Sequence, residues 1–339
     1  MIDNVICNYK KNYRKEGCRQ TIFAKEYKQK THSFEWVSWY LQGSNQGHMD
    51  FQSIALPSEL RYLANAGANI ESFLIYPKQI LKKINSYLRG VKLNNMILTI
   101  DVGNTRIKGA VFENDTLIEQ FHTEPRAMQN AIESILLKYP NASDLVVANV
   151  GNFDKNDFLA FSNRIAIHFV SHSDTFPFLN AYATPNTLGI DRMVLATGAT
   201  LRYPNQNRLI IDAGTCVTYD FISQDDVYLG GAISPGLRLR YQSLHNFTAA
   251  LPLLDSECPD YFIGNSTANS IHSGVVNGLA HEIDGFIEEY QSRYPNFIII
   301  LTGGDAEFLA KRLKNTIFAN SNFLLESLNQ TFQYKIKND

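Results

Sequence analysis

Four residues within eight positions first suggest chemistry. Asp101, Gly103, Thr105 and Lys108 fall in Ile100-Asp101-Val102-Gly103-Asn104-Thr105-Arg106-Ile107-Lys108, between the apolar run Met96 to Ile100 and the alternating run Ile107 to Phe112. Gly103-Asn104 between two strand-like runs predicts a two-residue hairpin turn, because both residues accept the positive φ that such a turn requires. A carboxylate then ends a strand beside backbone N–H groups, a hydroxyl and an ammonium, which together would cradle a phosphate. Most Gly-Asn hairpins are only hairpins, so this reading needs a second feature. It comes 111 residues later, where Ile211-Asp212-Ala213-Gly214-Thr215 repeats the pattern of apolar strand, Asp, small residue, Gly and hydroxyl. Two strand-Asp-x-Gly turns imply a duplicated domain with both turns facing one cleft.

A third carboxylate, in Gly189-Ile190-Asp191-Arg192, opens a helical pattern through Val194, Leu195 and Ala199. On the tetrapeptide alone Asp191 reads as an N-cap accepting a backbone N–H. A carboxylate at a helix mouth also suits a base facing a substrate. Three further stretches carry weaker signals: Leu229 to Gly236, Gly264-Asn265-Ser266-Thr267, and Thr302-Gly303-Gly304-Asp305. The first reads as a Gly-rich turn between strand and helix, and the last as a strand-to-helix turn that offers N–H groups to a nucleotide.

The elements that must position these residues follow from periodicity. A hairpin over Met96 to Phe112, a third strand near Thr116 to Phe121, a helix over Ala127 to Tyr139, a strand over Leu145 to Val150, a short helix over Asp154 to Asn163 and a strand over Ile165 to Val170 are predicted. Ser171 to Gly189 reads as a long connection. Further on come strands over Leu209 to Ala213 and Cys216 to Ile222, a helix over Ile271 to Tyr290, a strand over Phe297 to Leu301 and a helix over Ala306 to Leu313. Strands and helices alternating in this way predict an α/β fold with mixed sheets.

At 339 residues, 45% hydrophobic and 19% charged, the chain has enough apolar mass for two domains, and no run reaches the roughly 18 apolar residues of a membrane span. Cys7, Cys18, Cys216 and Cys258 have no C-x-x-C spacing, so neither a zinc site nor a disulfide framework is expected. With no secretory pattern at the N-terminus, the cytoplasm is the expected compartment. Residues 1–95 carry 14 Lys and Arg against 7 Asp and Glu, a net of +7, whereas the remainder carries 17 against 26, a net of −9. The basic run Tyr9 to Lys30 and the aromatics Phe34, Trp36, Trp39 and Tyr40 would suit nucleic acid. No helix-turn-helix or zinc-finger spacing accompanies them, and nucleic-acid binding is disfavoured. Ser72 to Leu88 reads as an amphipathic helix interrupted by Pro77, and Met96 is a candidate translation start. The expected division is a basic extension over 1–95, a first domain over 96–205 and a second over 206–339.

From Met96 onward the motifs, in order, resemble the type III pantothenate kinases of the acetate and sugar kinase, Hsp70 and actin superfamily. They are Asp101-Val-Gly-Asn-Thr105-Arg-Ile-Lys108, Gly189-Ile-Asp-Arg192, Asp212-Ala-Gly-Thr215, Gly230-Gly231 with Pro235-Gly236, and Thr302-Gly-Gly-Asp305. The resemblance implies duplicated ribonuclease H-like (actin-like ATPase) domains around a cleft. It also implies ATP-dependent transfer of phosphate to the alcohol group of pantothenate, the first step of coenzyme A biosynthesis. By the same resemblance, Asp101, Val102, Gly103, Asn104, Thr105, Arg106, Ile107, Lys108 and Thr215 would contact ATP, with Asp101 near Mg²⁺. Asp191 would be the general base, and Tyr182, Gly189, Ile190, Asp191, Arg192 and Thr267 would bind pantothenate. Asp212 would serve a monovalent cation, K⁺ or NH4⁺, and a homodimer is implied. Two rivals, a regulatory protein using the basic segment and another small-molecule kinase of the superfamily, explain fewer of these motifs.

Overall fold

Burial on both faces makes β1 (Met96–Val102) the centre of a sheet: every residue from Ile97 to Val102 is buried. The structure is a computed structural model that describes residues 96–103, 106–149, 154–294 and 296–338, all within one compact unit, Val91–Asp339. Every expectation for residues 1–95 lies outside the described residues, as do Asn104 and Thr105.

The other strands of the first sheet are β2 (Ile107–Glu113), β3 (Thr116–Thr123), β4 (Ala142–Asn149) and β5 (Ala166–Phe169). Their order is β3-β2-β1-β4-β5, antiparallel from β1 through β3 and parallel from β1 through β5. The second sheet comprises β6 (Leu179–Asn180), β7 (Asn207–Ala213), β8 (Cys216–Ile222), β9 (Val227–Pro235), β10 (Phe297–Thr302) and β11 (Phe318–Ala319), in the order β11-β10-β7-β8-β9-β6. Without the two-residue β6, the strands β7 to β11 repeat the order and the strand senses of β1 to β5. The predicted duplication is therefore visible as topology.

Side chains that alternate across each strand give each sheet two apolar faces. In the first sheet Leu98, Ile100 and Val102 pack on Met128, Ile132, Ile135 and Leu136 of α1 (Met128–Lys138), with Phe158 of α2 (Asn156–Leu159) alongside. In the second, Leu209, Ile211, Tyr219 and Phe221 face α4 (Leu237–Asn246), α5 (Thr267–His272), a π-helical turn (Ser273–Asn277), α6 (Gly278–Arg293) and α7 (Ala306–Ala310).

The opposite faces share one cluster, in which Ile97, Val146 and Ala148 of the first sheet and Ile210, Ile222 and Ile300 of the second enclose α3 (Ile190–Arg202) and α8 (Phe323–Asn338). Every residue of α3 from Arg192 to Thr200 is buried, as expected of a helix covered on all sides. It crosses α8 at Gly198, where an added Cβ would lie 1.9 Å from Ser327 Oγ. The crossing needs glycine.

The structure corrects several expectations. Val102 pairs with Ile107, so the first hairpin has a four-residue connection rather than two. This register keeps both residues in the core, and the positive-φ glycines among the described residues are Gly230 and Gly303, not Gly103. Leu229 to Pro235 is strand, not turn, and the long connection before Gly189 contributes β6 to the edge of the second sheet. The helix expected over Ile271 to Tyr290 spans Thr267 to Arg293 through the π-helical turn, whereas the one expected over Ala306 to Leu313 ends at Ala310. The amphipathic helix α8 has no counterpart in the sequence reading.

Candidate active site

Asp101 and Asp212 each occupy the second-last position of an inner strand, β1 and β7, of its sheet. Lys108 on β2 stands opposite Asp101, whereas Thr218 on β8 and Thr302 on β10 flank Asp212. Asp101 is 7% exposed, and its Oδ1 is buried without a hydrogen-bond partner among the described residues. Burial, then the negative charges of Asp191 and Asp212, push the Asp101 carboxyl up to about 7, against the attraction of Lys108. Burial, then the charge of Asp191, brings Asp212 to about 7 as well, again opposed by Lys108. Three carboxylates thus share one field around one ammonium. Such a set fits a cation bound through carboxylate and phosphate oxygens, which would relieve the repulsion and give the orphaned Oδ1 a partner.

Asp191 is the second residue of α3, not its cap; the N-cap is Gly189. Its Oδ1 accepts the backbone N–H of Arg192 at 2.8 Å, and a Cβ on Gly189 would fall 2.3 Å from that oxygen. Gly189 is therefore required to seat the carboxylate. Burial raises its proton affinity, partly offset by the N–H and the charge of Arg192.

Arg192 is 6% exposed. Its Nε donates to Asp220 Oδ1 at 2.8 Å, and its guanidinium carbon sits 5.8 Å from the centre of the Tyr182 ring. Asp220 has no place in the expected site, although a carboxylate in the apolar strand Cys216–Ile222 signals a buried pair. Nor does Tyr228, which donates to Asp220, or the nearness of Asp305 to Lys108, whose charge opposes a burial-driven rise of the Asp305 carboxyl. At Gly303 φ is +98°, and a Cβ would meet Ala213 O at 2.3 Å and Asp212 Oδ1 at 2.4 Å. The Gly-Gly turn packs directly on the end of β7.

Of the remaining expected residues, Ile190 is buried at the start of α3, Thr215 is exposed in the link between β7 and β8, and Arg106 is exposed. Val102 and Ile107 are fully buried in the first core, leaving only their backbone to meet a ligand. Thr267 stands apart from Asp191, on the wall of a cavity of about 860 Å³ lined also by Arg240, Leu251 and Ser270.

Known proteins match this chain where its structure is described. The family model for type III pantothenate kinase matches residues 97–289. A type III pantothenate kinase of Flavobacterium johnsoniae is 68% identical over 244 residues, 72% of this chain and 100% of the relative. That of Flavobacterium psychrophilum is 62% identical over 240 residues, covering 71% and 100%, and that of Christiangramia forsetii is 45% identical over 239, covering 70% and 98%. With the family model over more than half of the chain and relatives covered end to end, the chain belongs to the type III pantothenate kinase family.

Proposed function

We infer that this chain transfers the γ-phosphoryl group of ATP to the primary hydroxyl of pantothenate, the first step of coenzyme A biosynthesis, with Asp191 as general base. Family membership supports the reaction. The roles rest on one observation: Asp101 and Asp212, at matching ends of the central strands of two like sheets, both lie within reach of the charge of Asp191.

Phosphoryl transfer requires held phosphates, neutralised charge and an acceptor oxygen in line with the γ-phosphorus. The turn from Asp101 to Lys108 holds the phosphates, with Lys108 facing their oxygens, and Thr215 meets ATP from the second half. Asp101 would hold Mg²⁺ and Asp212 would hold K⁺ or NH4⁺, and these cations would supply positive charge to the transferring group. Asp191 takes the hydroxyl proton as the acceptor oxygen bonds to phosphorus and the bond to ADP breaks. Its raised proton affinity suits that task. Tyr182, Gly189, Ile190 and Arg192 hold pantothenate, and the halves 96–205 and 206–339 form the two walls. Thr267 joins the pantothenate site only if another surface brings it there, which fits a homodimer.

The test is turnover of pantothenate and ATP by the full chain in Mg²⁺ and K⁺. Asp191→Asn lowers kcat by about 10²- to 10⁴-fold, the usual span for a lost general base, and leaves the urea midpoint nearly unchanged. A large stability loss with residual turnover would instead make Asp191 a structural residue.

A further inference from the structure

Asp220 is 0% exposed, and the reaction as described gives it no task. Four groups converge on it. Arg192 Nε and Nη2 both lie 2.8 Å from its Oδ1, Tyr228 donates its hydroxyl to the same oxygen, and Thr218 Oγ1 donates to Oδ2 at 3.1 Å. A buried guanidinium without a counterion is strongly destabilising, so Asp220 keeps Arg192 charged inside the protein. The Nε and Nη2 side of the guanidinium is held by an ion pair closed off from solvent. On its other side the guanidinium carbon lies 5.8 Å from the centre of the Tyr182 ring. Tyr182 is in turn seated on Gly230, where φ is +111° and a Cβ would stand 3.4 Å from the ring. The guanidinium is thus clamped from two sides before any ligand arrives.

We propose that Asp220 is a positioning residue for the phosphoryl acceptor: with Tyr228 and Thr218 it fixes the Arg192 guanidinium in one orientation, ready for the acceptor's carboxylate. The inference rests on the functional reading above, in which Arg192 holds pantothenate. Pantothenate carries a single anionic group, remote from the hydroxyl that reacts. A preformed fork binds a carboxylate without first spending energy on ordering its own side chain. Asp220 touches neither reacting oxygen nor nucleotide, so its loss should act on acceptor binding far more than on ATP.

Steady-state kinetics of the full chain, with pantothenate and ATP varied separately, test this. Asp220→Asn keeps the shape and removes the charge; the pantothenate KM should rise about 10- to 100-fold, the span set by loss of a charge-assisted hydrogen bond. The ATP KM should stay within about two-fold, and kcat should fall less than the pantothenate KM rises, as expected when a binding interaction is lost. Tyr228→Phe removes one donor to the same oxygen and should raise the pantothenate KM about 3- to 10-fold. It carries the test alone if Asp220→Asn fails to fold. An unmoved pantothenate KM in a folded variant, or equal rises in both KM values, overturns the positioning role. Absence of pantothenate turnover by the wild-type chain overturns the functional reading and this inference with it.

Discussion

Replacing Asp101 by Asn should make the ligand-free protein more stable at pH 8 while removing its activity. The magnitude follows from the site. The Asp101 carboxyl stands at about 7 against an ordinary 3.8. At about 1.36 kcal/mol for each tenfold change, holding it ionised in the fold costs about 4 kcal/mol. A carboxyl raised in this way contributes most to stability below pH 3.8, and that contribution is lost as pH climbs through about 7. Asn removes the charge that Asp191 and Asp212 repel but leaves a polar group without a guaranteed partner at the buried Oδ1 position, which returns about 1–3 kcal/mol. The net gain at pH 8 is therefore about 1–3 kcal/mol, or several degrees in Tm. Urea unfolding of both proteins in EDTA and a potassium-free buffer, at pH 8 and pH 5.5, measures it. The gap should shrink at pH 5.5, where the wild-type carboxyl is largely protonated. Adding Mg²⁺ with ATP should stabilise the wild type more than the variant. A variant less stable than wild type at pH 8, or a gap that ignores pH, would refute the idea that repulsion among these carboxylates is held in the fold.

Two further outcomes are expected. Exchanging K⁺ for Na⁺ should depress turnover if Asp212 serves a monovalent cation, and equal initial rates in the two salts would remove that role. Gly198→Ala should lower the unfolding free energy by about 1–3 kcal/mol through overpacking against Ser327 at the α3–α8 crossing, read from the urea midpoint.

What the sequence made legible was whatever is encoded locally. Asp101 and Asp212 stood out because each follows an apolar strand and precedes a small residue and Gly. The length of the first hairpin is not legible locally, since the register that buries both Val102 and Ile107 is set by the core rather than by the Gly-Asn pair. Leu229 to Pro235 was mistaken for a turn because glycines weaken a strand signal. Gly231 is nonetheless in the sheet, with its missing side chain 1.5 Å from where Tyr219 O would obstruct it. Asp220 escaped notice because its partner, Arg192, is 28 residues away and only the folded sheet joins them. The role of α8 is equally hidden, since its partners are α3, β1, β2 and β4, all far earlier in the chain.

That last arrangement governs the order in which the protein can be made. The first sheet is complete once Phe169 has been synthesised, yet the face carrying Ile97, Val146 and Ala148 waits for α3 and then for residues 323–338. That face stays uncovered until those residues have been made, the condition under which growing chains aggregate or engage chaperones. Helix α8 then covers β1, β2 and β4, so folding has a late, long-range commitment. Loss of α8 would be felt beneath β1, the strand that carries Asp101.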